Sequence, residues 1–182
     1  MIHLTSVFRL TPLLALMISQ KTVGQPVKEK GLLILVSDSA TGAYGYRNET
    51  GKIIIPMGKY LSCFTDTFRS YAIVDKPGEG IVGIDRQGRV LYSIFIFDNG
   101  PDEPSDGLFR IKTAGKIGYA DSATGEIVIK PQYACAWPFE NGMAKVAAEC
   151  KTRSDGEHST WISDHWFFIN KNGVRVNPAT NN

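Results

Sequence analysis

An all-β fold built of tandem three-stranded β-meanders is what this sequence predicts, and three observations predict it. Gly51, Gly88 and Gly125 close short polar turns 37 residues apart, and a fourth such turn ends at Gly173. A β-branched or aliphatic strand follows each of the first three. Beyond the N-terminal segment, no stretch carries apolar residues at helical spacing over ten or more positions. A period of this size marks an array of supersecondary units, each too small to bury its own core. About 3.5 copies are expected, stacked as a solenoid-like or partly closed array.

The elements follow in chain order. Residues 1–24 read as a signal peptide: a positive region ending at Arg9, an apolar run from Leu10 to Ile18, and the small residues Thr22 and Gly24 before Gln25. The run is far short of the ~20 apolar residues needed to cross a bilayer, so a secreted or periplasmic protein that does not span the membrane is expected. No cysteine stands at the cleavage point, which argues against lipid modification. Residues 25–30 read as a linker and 31–176 as the β domain. Leu32-Leu33-Ile34-Leu35-Val36 supplies the last strand of an incomplete leading copy.

Each full unit then opens on a tight turn at Gly42, Gly80 or Gly115 and runs through Tyr44-Gly45-Tyr46, Val82-Gly83-Ile84 or Ile117-Gly118-Tyr119. It turns again at Asn48-Glu49-Thr50-Gly51, Asp85-Arg86-Gln87-Gly88 or Asp121-Ser122-Ala123-Thr124-Gly125. Asp or Asn opening such a turn and Gly closing it is hairpin chemistry, because Gly adopts positive φ without steric cost. The second strand is Ile53-Ile54-Ile55, Val90-Leu91-Tyr92 or Ile127-Val128-Ile129, and Pro56 and Pro131 are expected to end two of the three. Aromatic segments follow, with Tyr60 and Phe64, then Phe95 and Phe97, then Tyr133, Trp137 and Phe139. The third strand is Tyr71-Ala72-Ile73-Val74, Leu108-Phe109-Arg110-Ile111 or Met143-Ala144-Lys145-Val146. The units so defined are 42–79, 80–114 and 115–163, with a partial copy at 164–176 and a disordered tail at 177–182.

The third unit closely resembles the bacterial WG-repeat pattern. Its Ile117-Gly118-Tyr119-Ala120-Asp121, its isoleucine-valine strand ending at Pro131, and its Pro138-Phe139-Glu140-Asn141-Gly142-Met143-Ala144 carry the resemblance. The first unit matches partly, and the second has lost the Pro and carries an acidic loop. The naming dipeptide is split: Gly45, Gly83 and Gly118 lack the Trp, and Trp166 lacks the Gly. The resemblance implies an all-β repeat protein that acts as an interaction or surface-binding module, with no catalytic residue to carry over.

Charge and cysteine usage narrow the function classes. Of 20 basic residues, Arg9 and Lys21 lie in the signal segment, so the remainder balance the 18 acids. A neutral chain without a basic run lacks the electrostatic attraction that nucleic acid or anionic lipid requires. Neither partner is expected, and no cofactor is implied. Three cysteines permit one internal bridge, for which Cys135 and Cys150 are the candidates, placed opposite each other across a hairpin turning at Gly142. Cys63 is then the leftover thiol.

Catalytic signatures are lacking: no Gly-x-Ser-x-Gly elbow, no His-Glu-x-x-His and no phosphate-cradling glycine loop occur. The chain is therefore not expected to be an enzyme. The longest departure from the repeat is the insertion at 151–164, 11 residues beyond the period, which reads as a polar hairpin loop. Loops inserted on a rigid scaffold are where binding residues concentrate, which singles out Trp161 first, with His158 and the neighbouring His165. Trp137, in the aromatic segment of the third unit, is a candidate beside Trp161 for a sugar-stacking face. Cys150, His158 and His165 match no compact zinc spacing, so no metal site is expected. The acidic run 98–107 lacks EF-hand ligand spacing and reads as a solvated turn. Phe139 and Trp166 are expected in the core. The function expected is a non-catalytic module that binds a protein or a cell-envelope component, the alternative being carbohydrate binding through Trp137 and Trp161.

Overall fold

The computed structural model describes residues 31–154, 156 and 159–177. The expected signal peptide, the linker at 25–30, His158 and all but the first residue of the tail lie outside the described residues. Within them the chain is all-β. The leading copy and first unit give β1 (Leu33–Ser37), β2 (Tyr44–Asn48), β3 (Ile53–Tyr60), β4 (Ser62–Cys63), β5 (Thr67–Phe68) and β6 (Tyr71–Lys76). The second unit gives β7 (Gly80–Asp85), β8 (Val90–Ile94), β9 (Ile96–Phe97), β10 (Gly100–Pro101) and β11 (Leu108–Thr113). The third gives β12 (Lys116–Asp121), β13 (Ile127–Tyr133), β14 (Cys135–Ala136) and β15 (Met143–Ala147). The insertion is a hairpin of β16 (Lys151–Ser154) and β17 (Ser159–Ile162), and the partial copy is β18 (Phe167–Asn170) and β19 (Arg175–Val176).

All described pairings are antiparallel. A central seven-stranded sheet runs β13-β12-β11-β8-β7-β6-β4, and four-stranded sheets β3-β2-β1-β5 and β14-β15-β18-β19 belong to the chain's two ends. No sheet closes into a barrel among the described residues. The central sheet nevertheless curls strongly. Tyr71 of β6 stacks on Phe109 of β11 with ring centroids 5.8 Å apart, although two strands lie between them in the sheet. The Tyr71 hydroxyl donates to the carbonyl of Ser122 at 2.8 Å, and that of Tyr92 to Gly125 at 2.7 Å. Ile94, Ile111 and Ala120 fill this concave face. The opposite face carries two further clusters, one beneath Leu33, Tyr46 and Ile55 of the leading sheet and one beneath Phe139, Val146 and Ile169 of the trailing sheet.

The four repeat turns share one hydrogen-bond pattern. Oδ1 of Asn48, Asp85 and Asn170 accepts from amides two and four residues on, and Asp121 Oδ1 accepts from Ala123 and Thr124 in the turn that is one residue longer. Donation from the Thr124 amide holds the Asp121 carboxyl below its ordinary range. The closing glycines have φ between +71° and +89°. Gly173 therefore closes the same turn as the other three.

Pro56 and Pro131 do not end their strands, which run on to Tyr60 and Tyr133. Tyr119 faces Ile129 whereas Ile117 faces Tyr133, so the second strand bulges between them around Lys130 and Pro131. A bulge leaves residues outside the ladder, and a residue without an amide hydrogen is tolerated there. The bulge presses on the unit glycine. A Cβ on Gly118 would lie 2.3 Å from the Ile129 oxygen and 2.5 Å from the Pro131 nitrogen, and one on Gly45 would lie 2.7 Å from the Ile55 oxygen. In the unit that lacks Pro, Gly83 is covered instead by the ring of Tyr92.

Buried tyrosines make the fold sensitive to alkali. Burial pushes the hydroxyls of Tyr46, Tyr92 and Tyr119 well above the ordinary value of 10.0, and that of Tyr60 to about 12. Between pH 10 and 12 the native state keeps protons that the unfolded chain releases, so stability is complete below pH 10 and falls as pH rises beyond it. The expected result is a denaturant midpoint that declines continuously above pH 10, with the tyrosinate absorbance of Tyr46, Tyr92 and Tyr119 appearing as the fold is lost. A midpoint unchanged to pH 12 would contradict this.

Candidate functional site

The sequence-predicted residues Trp137 and Trp161 meet in the structure. Trp137 follows β14, and its backbone is pinned on three sides. Its amide donates to the Lys145 carbonyl at 3.0 Å, its carbonyl accepts from the Tyr119 hydroxyl at 2.6 Å, and the preceding Ala136 carbonyl accepts from Arg110 Nη1 at 3.2 Å. Its side chain remains 42% exposed. A rigid backbone beneath a free aromatic ring is the arrangement a binding platform needs.

The Tyr119 anchor is a repeat feature. In the first unit the Tyr46 hydroxyl donates to the Thr65 carbonyl at 2.8 Å while its ring meets Phe68 edge-on. In the third, Tyr119 meets Phe139 edge-on at 4.7 Å, and Phe139 is fully buried. Trp137 thus stands where the first unit has Thr65, and the scaffold that holds a threonine there presents an indole here.

Trp161 comes from the insertion hairpin. Lys151–Ser154 is exposed throughout, as are Ser159, Thr160 and Ile162, so Trp161 is the one described hairpin strand residue that turns inward. Its ring packs edge-on against Trp137 at 5.5 Å and Phe95 at 5.8 Å. At the root, Cys135 and Cys150 form a disulfide with Cα atoms 6.1 Å apart. They are not a directly opposed pair: Cys135 faces Ala147, and Cys150 lies three residues past the end of the strand. The hairpin register centres near Asn141, not on Gly142, which shifts the partner. Closing a loop of this separation contributes about 3 kcal/mol in the chain-entropy model.

Beneath the aromatic rings lies a buried ion pair that the acidic run conceals. The stretch 98–107 is not simply a solvated turn: Asp102 is 4% exposed and its carboxylate accepts from Arg110 Nε, Nη2 and backbone amide. The Arg110 guanidinium also covers the face of Phe95 at 4.0 Å. One side chain therefore ties together the Asp102 loop, Phe95 and the strand before Trp137. The available sequence signal was an arginine in a third strand otherwise made of buried apolar residues, with a carboxylate eight positions upstream.

Three hollows of about 900, 690 and 410 Å³ share Trp137 as a common wall. Trp161, Trp166 and Phe168 line the largest with Asn141 and Lys145. Pro101, Asp98 and Glu103 line the second, and Phe95, Phe97 and Trp161 the third. Trp166 is half-buried with the Lys145 ammonium 5.0 Å over its ring, so it is a groove residue and not a core residue. Trp166 stands immediately before β18 and two positions before Phe168, and both side chains line the hollow. His165 is exposed, its amide bonded to Ser163 Oγ, and it lines none of the three. Cys63 is a free thiol whose pKa is raised by burial.

Residues 117–147, from the β12 strand to the end of β15, match the family described as WG containing repeat. Over these residues the chain is similar to a WG repeat. The match covers the segment that supplies both the Tyr119 anchor and Trp137, and it includes Gly118 and the bulge at Pro131. No curated protein and no solved structure matches the chain. Outside the matched segment, the Trp161 hairpin, the Asp102 loop and the Trp166–Phe168 stretch supply further walls of the groove. Among the described residues no helix is long and apolar enough to cross a membrane.

Proposed function

We propose that this chain is an exported, non-catalytic interaction module whose ligand, a protein or another cell-envelope component, binds in the groove around Trp137 and Trp161. One observation carries the proposal: the chain has three tryptophans, and all three line the same hollow. Aromatic residues concentrated in a concave, partly desolvated patch are where binding energy is usually found. The tandem units, curled into a partly closed array, act as scaffold, and the insertion completes the site. Export is inferred from the 1–24 segment.

A pulldown of the purified protein from its own cell envelope tests this. Wild type is expected to retain a partner that is lost with the Trp137→Ala/Trp161→Ala variant and with deletion of residues 151–164. Retention of the same partner by both variants would move the site elsewhere. A turnover abolished by His165→Ala would replace the binding module with an enzyme.

A further inference from the structure

We infer that the groove takes a proline-rich peptide segment in the polyproline II conformation with a basic flank, an inference that rests on the groove being the binding site. Three features of the walls point to this chemistry.

The first is ring geometry. Trp137 and Trp161 meet at 68° and Trp161 and Phe95 at 74°, so the rings form successive V-shaped slots and not a coplanar platform. An edge-to-face contact covers part of one ring's face, which removes stacking surface that a sugar ring would use. A pyrrolidine ring, which is compact and presents apolar edges, fits between two inclined rings, and polyproline II ligands dock in aromatic-lined grooves in this way.

The second is donor supply. Among the described residues none of the three indole N–H groups donates to a protein acceptor, and none of those on Trp161 and Trp166 is buried without a partner. A polyproline II strand has no internal hydrogen bonds, leaves every carbonyl free, and lacks the amide donors that would require acceptors in return. Indole donors without a protein acceptor suit such an acceptor-only backbone.

The third is charge. Asp98, Glu103 and Glu140 are exposed along the two larger hollows, while Arg110 is neutralised by Asp102 and Lys145 lies over Trp166. The three exposed carboxylates outweigh the single Lys145 ammonium, so the rim is net acidic and selects arginine or lysine beside the prolines. Prolines also bring little conformational entropy to be lost on binding, which suits a groove held rigid by Arg110 and Tyr119.

Because all three tryptophans lie in the groove, intrinsic emission of the full chain reports on this site alone. The test titrates the protein with an oligoproline peptide carrying terminal arginines, with a glycine-serine peptide carrying the same arginines, and with a chito-oligosaccharide. The expected result is a saturable emission shift with the first only. Affinity should weaken about tenfold or more in Trp137→Ala, which leaves the backbone bonds of this position to Lys145 and Tyr119 in place, and fall with added salt. Combined Asp98→Asn, Glu103→Gln and Glu140→Gln should remove the arginine dependence while leaving a response to uncharged oligoproline. An equal response to the glycine-serine peptide overturns the inference, as does a response to the oligosaccharide alone or to none of the three. If envelope pulldown still depends on Trp137 and Trp161 when oligoproline is silent, only the peptide class falls; if pulldown ignores both residues, the groove itself is wrong.

Discussion

Asp102→Ala is expected to destabilise the protein by about 3–5 kcal/mol, because it strands the Arg110 guanidinium in a site where both partners are almost fully buried. The loss should appear as a large drop in the denaturant midpoint with little change in slope. The groove should fail with the fold's local order, since Arg110 holds Phe95 and the Ala136 carbonyl through the geometry that Asp102 imposes. A double variant, Asp102→Leu with Arg110→Met, separates the two roles. Replacing a buried pair by apolar groups of similar size is often close to neutral for stability. The double variant is therefore expected to regain most of the midpoint while still losing the groove's ligand. If Asp102→Ala alone melts like wild type, the pair is not the keystone described here.

Gly118→Ala should be nearly as damaging, and for a different reason. Its φ is not left-handed, so the cost is not backbone strain in the residue itself; the added Cβ would run into the backbone of Ile129, Lys130 and Pro131. Backbone on a paired strand yields poorly, and a loss of about 3 kcal/mol is expected, toward the upper end for overpacking. Gly142→Ala provides the comparison. That residue has φ +78° and nothing within 4 Å of an added Cβ, so only conformational cost of about 1–2 kcal/mol applies. Thermal melts of the two variants should differ clearly. Equal losses would mean that the bulge relaxes away from position 118.

These two sites also show how unevenly the sequence disclosed the molecule. Gly118 and Pro131 were visible as repeat marks, but their coupling was not. Read alone, Pro131 looks like a strand terminator, since it lacks an amide hydrogen; only the register, with Ile117 facing Tyr133 and Tyr119 facing Ile129, reveals that the strand continues through a bulge. Asp102 was hidden for a related reason. A run of Asp, Glu, Pro and Gly has the composition of a solvated turn, and composition carries no information about which single carboxylate folds inward onto an arginine. Trp166 reads as a core ring because large rings fill small β units, yet in the structure it lines a hollow. Trp161 is legible as part of a departure from the repeat, because a period exposes what does not conform to it, whereas Trp137 stands out only as one of the aromatics that follow each second strand.

The all-β class, the order of the three longer strands of each unit, the Asx-opened, glycine-closed turns and the location of the insertion are set by the sequence itself, whereas the short strands β4, β5, β9, β10 and β14, within stretches that read as aromatic segments and turns, appear only in the structure. The features set by the sequence follow from short-range physics, in which φ, side-chain alternation and turn hydrogen bonds act within a few residues. The tertiary structure alone decided that Phe95, Arg110, Trp137 and Trp161, drawn from two units and an insertion, share one groove, and that Asp102 is buried beneath it. Those contacts depend on how far the central sheet curls and on which side of a bulge each side chain emerges. No local pattern encodes either, because a shift of one residue in register would turn every one of these rings to the opposite face.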